Sequence, residues 1–140
     1  MIRAFTTGIS VAALGLITAL PATAQEPTGG VVSIGGAVTE IVFALGAQRQ
    51  LVARDTTSSY PPEAAALPDV GYMRALSPEG VLATGPKLII AEEGAGPPET
   101  IEVLEQADIP FVIGPDDYTA EGVSAKIRAV GQALGKGPQA

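Results

Sequence analysis

Apolar residues in this chain come in short consecutive runs separated by polar stretches, not in residue-by-residue alternation. Val31-Val32-Ser33-Ile34, Leu51-Val52-Ala53, Lys87-Leu88-Ile89-Ile90-Ala91 and Phe111-Val112-Ile113 are four such runs. Strands of this kind read as buried on both faces, the pattern of a parallel sheet. Between the runs lie stretches with helical signals. Thr39 to Leu45 carries helix formers and ends at Gly46, a C-terminal cap signal. Pro61 to Ala66 opens a short helix, because proline is tolerated in a first turn, and Leu67-Pro68-Asp69 stops it. Ser77-Pro78-Glu79 combines a capping hydroxyl, a proline at the first helical position and a carboxylate at the positive helix end, predicting a helix that ends at Gly85-Pro86. Ile101 and Leu104 lie three apart on a further helix, and Val123, Ile127, Val130 and Leu134 predict one apolar stripe on the last. Strands alternating with helices predict an α/β fold, a parallel sheet flanked by helices in the manner of a Rossmann-like lobe.

The first 24 residues follow a different pattern. Arg3 precedes a mostly apolar run from Gly8 to Leu20, and Pro21-Ala22-Thr23-Ala24 supplies small residues at the cleavage positions. This is the layout of a secretory signal peptide; the run is nearer the roughly 7 to 15 residues of such a segment than the roughly 20 of a membrane span. The expected organisation is a signal peptide at 1–24, a flexible lead-in at 25–30, one lobe at 31–135 and a short tail at 136–140.

Charge and composition then remove whole classes of chemistry. The chain of 140 residues has a formal net charge of -7, with only 8 Lys and Arg against 15 Asp and Glu. Nucleic-acid binding requires clustered cations, so it is not expected. Neither His nor Cys occurs, which excludes disulfides, thiolate metal sites and every triad or zinc motif built on those residues. A nucleophile-base pair for a secreted α/β enzyme cannot be named either, because Ser58 and Ser59 have no evident partner.

Ligands of a parallel sheet bind beyond the carboxyl ends of its strands, and polar residues gather there: Gly35-Gly36, the run Arg54 to Tyr60, Glu92-Glu93-Gly94 and Asp116-Asp117-Tyr118. Ser33-Ile34-Gly35-Gly36 with Asp55 about 20 residues on invites a dinucleotide reading, but the residues after Gly36 are Ala37, Val38 and Thr39, which fails the glycine spacing. The stretch VGYMRALSPEGV at 70–81 sets Tyr72 one residue after a glycine and two before Arg74. A loop tyrosine ordinarily packs its ring and hydrogen-bonds its hydroxyl. If the loop is extended, Tyr72 and Arg74 project to the same side. Met73 is expected to pack, Tyr60 before Pro61-Pro62 to be structural, and Tyr118 after two aspartates to be a surface residue.

The segments VVSIGGAVTEIVFALGA at 31–47, LVARDTTSSYPPEAAALPDVGYMRALSPEGVLATGPKLIIA at 51–91 and GAGPPETIEVLEQADIPFVI at 94–113 together resemble the periplasmic hemin-binding proteins of ABC importers, within a wider group that also carries corrinoids and ferric siderophores. The run DTTSSYP with LPDVGYMRALSPEG resembles the hemin branch in particular. The resemblance implies that Tyr72 is the axial ligand of haem iron and that Arg74 lies beside the haem, facing a propionate or assisting the phenolate. Tyrosinate is a recognised haem ligand, and both the ferric charge and a nearby guanidinium favour the phenolate over a phenol that otherwise titrates near pH ~10.

The same resemblance implies periplasmic capture of hemin, with haem as cargo and no catalysis. It further implies delivery to an inner-membrane permease, downstream of an outer-membrane haem receptor pathway. A surface glutamate would pair with permease arginines, and Glu99, on the helix after Gly94-Ala95-Gly96-Pro97-Pro98, is the candidate; Glu40 suits a structural hydrogen bond as well as a functional role. Members resemble two lobes joined by a long helix, so this chain corresponds to one lobe. A corrinoid or siderophore carrier, and a secreted α/β enzyme fragment, are the alternatives.

Overall fold

A computed structural model describes residues 30–140; the predicted signal peptide and nearly all of the lead-in lie outside those residues. Four strands, β1 (Val31–Ile34), β2 (Leu51–Arg54), β3 (Leu88–Glu92) and β4 (Phe111–Gly114), form one parallel sheet in the order β2-β1-β3-β4. The order reverses at β1, which lies between β2 and β3, so the crevice at the carboxyl ends opens there. Four helices cover the sheet: α1 (Gly36–Ala44), α2 (Pro78–Leu82), α3 (Pro98–Glu105) and α4 (Ala120–Ala133). The Pro61 to Ala66 stretch forms a 3-10 turn, Pro62–Ala66, and the chain ends in another at Gly137–Gln139. Among the described residues no helix is long and apolar enough to cross a membrane.

Each face of the sheet has its own core. Val32, Ile34, Ala53 and Ile89 pack with Val81 of α2 and Leu104 of α3 on one face, together with Val70, Met73 and Leu76 from the loop before α2. On the other face Val31 and Ile90 pack with Val38 and Val42 of α1, with Val130 of α4 and with Leu134 just after it. Local signals set the helix starts. Ser77 Oγ accepts the Gly80 N–H at 3.1 Å, with Pro78 as the first helical residue, and Thr119 Oγ1 accepts the Gly122 N–H at 3.0 Å. The α2 helix stops at Leu82, three residues short of Gly85, where a turn in which the Gly85 N–H donates to the Leu82 carbonyl closes it.

The α4 stripe departs from expectation at its start. Val130 and Leu134 are buried, but Val123 is 57% exposed, and the inward row runs instead through Gly122 and Lys126. The reason is a cation. Lys126 sits 8% exposed at the carboxyl end of the sheet, where Nζ donates to Asp116 Oδ1 at 2.7 Å and to Glu92 Oε1 at 3.3 Å. The ammonium thereby ties α4 to the ends of β3 and β4, and its alkyl stem runs past Gly114. Burial works to lower the Lys126 pKa, but the hydrogen bonds and charges of Asp116 and Glu92 outweigh it and hold the ammonium above its usual range. The same hydrogen bond, against a smaller opposing effect of burial, holds Asp116 below the usual carboxylate range.

A second polar knot closes the β1 and β2 ends. The fully buried carboxylate of Asp55 accepts from the Gly35 N–H at 2.9 Å and from Ser58 Oγ at 2.6 Å through Oδ1, and from the Thr57 N–H and Thr57 Oγ1 through Oδ2. Ser58 Oγ continues through Thr39 Oγ1 to Ser33 Oγ, at 2.7 Å for each step, so a row of three buried hydroxyls joins β1, α1 and the loop after β2. Gly35 can only be glycine, since its φ is 107° and a Cβ there would run into the Glu92 side chain.

Two outcomes test this arrangement. Asp55→Ala leaves four donors without their acceptor and is expected to cost at least about 3 kcal/mol in thermal or urea unfolding. Lys126→Ala is expected to cost about 2 kcal/mol, the scale of hydrogen bonds to charged groups. Because Asp116 is depressed when folded, its share of that stability is present above about pH 4 and lost as pH falls through its lower folded value. The raised Lys126 keeps its share until pH passes its folded value, above about 10.4. A pH series of melting curves for wild type and Lys126→Ala should therefore converge in acid.

Candidate functional site

Tyr72 stands on a loop whose backbone is fastened on both sides. On the upstream side the chain runs parallel to the end of β2: the Arg54 N–H donates to the Pro68 carbonyl at 2.9 Å, and the Val70 N–H donates to the Arg54 carbonyl at 3.0 Å. Asp69 then accepts the Gly71 N–H at 2.8 Å and Thr56 Oγ1 at 3.1 Å on Oδ1, and pairs with Arg54 through Oδ2 at 2.6 Å. The Gly71 carbonyl accepts the Thr56 N–H at 2.9 Å. Gly71 itself has φ 100°, a conformation that L side chains rarely adopt, so the glycine before the tyrosine is what lets the chain turn there. Burial raises the Asp69 pKa, but hydrogen bonds from Gly71 and Thr56 and the Arg54 charge outweigh it and hold the carboxyl below its usual range.

On the downstream side Met73 is buried in the core against the sheet, as expected for its thioether. Its carbonyl accepts the Gly96 N–H at 2.8 Å, and the Leu76 N–H donates back to the Gly96 carbonyl at 2.9 Å. Thr100 Oγ1 of α3 donates to the Leu76 carbonyl. The loop thus crosses from the end of β2 to the segment after β3, along the carboxyl edge of the sheet.

The predicted extended geometry between Tyr72 and Arg74 is not what forms. The Ala75 N–H donates to the Tyr72 carbonyl at 2.8 Å, so 72–75 is a turn, and the period-two argument that put both side chains on one side does not apply. The turn buries Met73 and leaves Tyr72 (48% exposed) and Arg74 at the surface. Neither the phenol nor the guanidinium of these two residues has a hydrogen-bond or ion-pair partner among the described residues. The hydroxyl of Tyr72 thus lacks the protein hydrogen bond that a loop tyrosine ordinarily makes, among the described residues.

The other singled-out residues fall elsewhere. Tyr118 is a surface residue, as expected, 93% exposed with its hydroxyl donating to Asp116 Oδ2 at 3.2 Å. Tyr60 is exposed and borders a shallow depression with Glu40, Phe43 and Pro61. Glu40 makes no side-chain hydrogen bond among the described residues; it lies between that depression and a second, of about 310 Å³, walled by Ile41, Val123 and Ile127. Glu99 is exposed in the first turn of α3 and is likewise unpaired. Asp55, which the nucleotide reading would need on a ribose, is spent inside the fold, and the Gly35 N–H with it. Ser58 is buried, with its hydroxyl donated to Asp55.

Sequence reasoning missed both aspartate knots and the Lys126 centre. Asp69-Val70-Gly71 and Asp55-Thr56-Thr57 each carry the Asx-turn signal, a side chain accepting the amide two residues on, which was there to be read. As a possible ligand site, Tyr72 supplies one hard oxygen donor. Among the described residues no three carboxylates come together as a metal cage. That donor set suits a metal that brings its other ligands with it.

Comparison with known proteins agrees with this architecture. Residues 31–140 match the family model described as periplasmic binding protein. The vitamin B12-binding protein of Pectobacterium carotovorum subsp. carotovorum (strain PC1) is 35% identical over 98 residues, 70% of this chain and 35% of that protein. The structure of the periplasmic heme-binding protein BhuT in complex with two hemes is 44% identical with a TM-score of 0.74, covering 77% of this chain and 42% of the other. The apo structure of the periplasmic heme-binding protein RhuT from Roseiflexus sp. RS-1 is 42% identical with a TM-score of 0.77, covering 81% of this chain and 43% of the other. The chain spans less than half the length of these relatives. With its four parallel strands, its covering helices and a family match across all but one of the described residues, the chain belongs to the periplasmic binding proteins.

Proposed function

We propose that this chain captures ferric haem in the periplasm and presents it to the permease of an inner-membrane ABC importer, with Tyr72 as the axial iron ligand. The observation that carries the proposal is an unpartnered, half-exposed phenol on a loop fastened at both ends, at the carboxyl edge of a parallel sheet. Haem supplies four nitrogens to its iron and asks the protein only for an axial donor, which is what a single tyrosine provides. Arg74, without a partner among the described residues and one residue beyond the buried Met73, is within the same turn, where its charge favours the phenolate or meets a haem propionate. The two heme-binding structures above, at 42% and 44% identity, support haem as the ligand, transported and not used for catalysis. The route from an outer-membrane haem receptor and the signal peptide at 1–24 belong to the same proposal.

The B12-binding relative favours a corrinoid as the second reading. A corrinoid brings its own ring nitrogens to cobalt and has no propionates for Arg74 to meet. An absorbance titration separates the two. Ferric hemin should give a saturable high-spin tyrosinate spectrum that Tyr72→Phe abolishes, and Arg74→Ala should weaken binding roughly tenfold, the scale of one charged hydrogen bond. Cobalamin binding that survives Tyr72→Phe, with no spectral change on adding hemin, would replace haem with a corrinoid.

Docking on the permease falls to an exposed carboxylate, and Glu99 in the first turn of α3 is the proposed one. The adjoining α2 presents a comparable acid, Glu79, whose carboxylate accepts from Ser77 Oγ at 3.0 Å. Glu99→Lys should abolish permease-stimulated haem transfer while leaving the hemin titration unchanged; loss of transfer in Glu79→Lys alone would move the contact to α2.

A further inference from the structure

We infer that Asp69 is the residue that positions Tyr72 for its ligand, by clamping the backbone immediately before it to the end of β2; the inference rests on the haem reading above and deepens it. Three groups converge on this one carboxylate: the Gly71 N–H, Thr56 Oγ1 and the Arg54 guanidinium. Thr56 returns the connection through its own N–H, which donates to the Gly71 carbonyl. Both polar backbone groups of the residue next to Tyr72 are therefore committed, one to Asp69 and one to Thr56. Among the described residues, Asp69 is the side chain that holds the backbone on that side of the tyrosine, while buried Met73 and the Gly96 backbone hold the other side.

The arrangement matters because Tyr72 has no side-chain partner to orient it. A donor whose direction is not fixed by its own hydrogen bonds depends on the backbone from which it projects. Gly71 makes this acute: its positive φ gives the turn its shape, and no neighbour lies within 4 Å of where a Cβ would stand, so that side of the turn is open. The Asp69 carboxylate substitutes for packing. Arg54 orients Asp69 in turn: Nη1 donates to both Asp69 Oδ2 and the Asp55 carbonyl, and Nη2 donates to the Ala65 carbonyl, so the clamp is anchored to β2 and to the 3-10 turn at Pro62–Ala66. Residues that orient a metal ligand from behind typically change affinity about 10- to 100-fold when removed.

The test compares Asp69→Ala, Asp69→Asn and Val130→Ala, the last a truncation in the core on the opposite face of the sheet, in the full chain. Two readouts are taken: amide hydrogen exchange at Gly71 and Thr56 without ligand, and the dissociation constant for ferric hemin with its tyrosinate spectrum. Asp69→Ala should speed exchange at both amides at least about tenfold and weaken hemin binding by about tenfold or more. Asp69→Asn, which keeps an oxygen for the Gly71 N–H but loses the ion pair, should fall between, and it serves alone if the alanine variant does not fold. Val130→Ala should lower the melting temperature without moving either readout. Unchanged exchange in the Asp69 variants, or hemin weakening shared equally by Val130→Ala, would overturn the role. If wild type shows no Tyr72-dependent hemin spectrum, the haem reading fails, and the exchange comparison alone decides whether Asp69 holds the loop.

Discussion

The buried carboxylate of Asp55, with four hydrogen bonds and no exposure, is the interaction on which the carboxyl edge of this sheet depends. A parallel sheet leaves its strand ends as loops whose backbone groups have no ladder to join, and buried groups of that kind must be paired. Asp55 meets this demand where β1 turns into α1 and β2 turns into its loop. A carboxyl group so deep in the structure is tolerated because four donors meet its two oxygens. Ser58, Thr39 and Ser33 extend the pairing into the α1 side of the sheet.

Asp69 and Lys126 solve the same problem at two neighbouring places, with more solvent access. Lys126 gathers the ends of β3 and β4 through Glu92 and Asp116, and Asp69 gathers the end of β2 and the loop before α2. Most of the polar residues at this edge are thus consumed in holding it together. Tyr72 and Arg74 are not; they flank the buried Met73 in a turn whose backbone is hydrogen-bonded on both sides.

The chemistry that remains available is narrow. One phenol and one guanidinium are the side-chain groups of this loop left without a partner among the described residues. Ser58, one of the two serines that an enzyme reading would consider, donates its proton to Asp55 inside the fold. The relatives with which this chain shares its sequence are named as binding proteins, for heme and for vitamin B12, both planar metal macrocycles.

The sequence by itself determined the parallel α/β architecture and the places of its elements. Continuous apolar runs leave no polar face for a strand to expose, and Ser77, Pro78 and Thr119 act through hydrogen bonds and dihedral limits that are local to the chain. It also made Tyr72 conspicuous, in a chain with no histidine or cysteine and with a glycine before it. Only the tertiary structure decided what each polar residue at the carboxyl edge is for. Val123 is expected in the apolar stripe but is exposed, and Lys126 takes an inward place because Glu92 and Asp116, 34 and 10 residues away in the chain, both meet its ammonium. Asp55 and Tyr72 both lie among the polar residues beyond the strand ends; one is enclosed by donors from residues up to 20 positions distant, and the other is left open by a turn that buries its neighbour. Periodicity reports which side of an element faces inward, but whether a charged group there finds a partner depends on chain segments that sequence separation does not bring together.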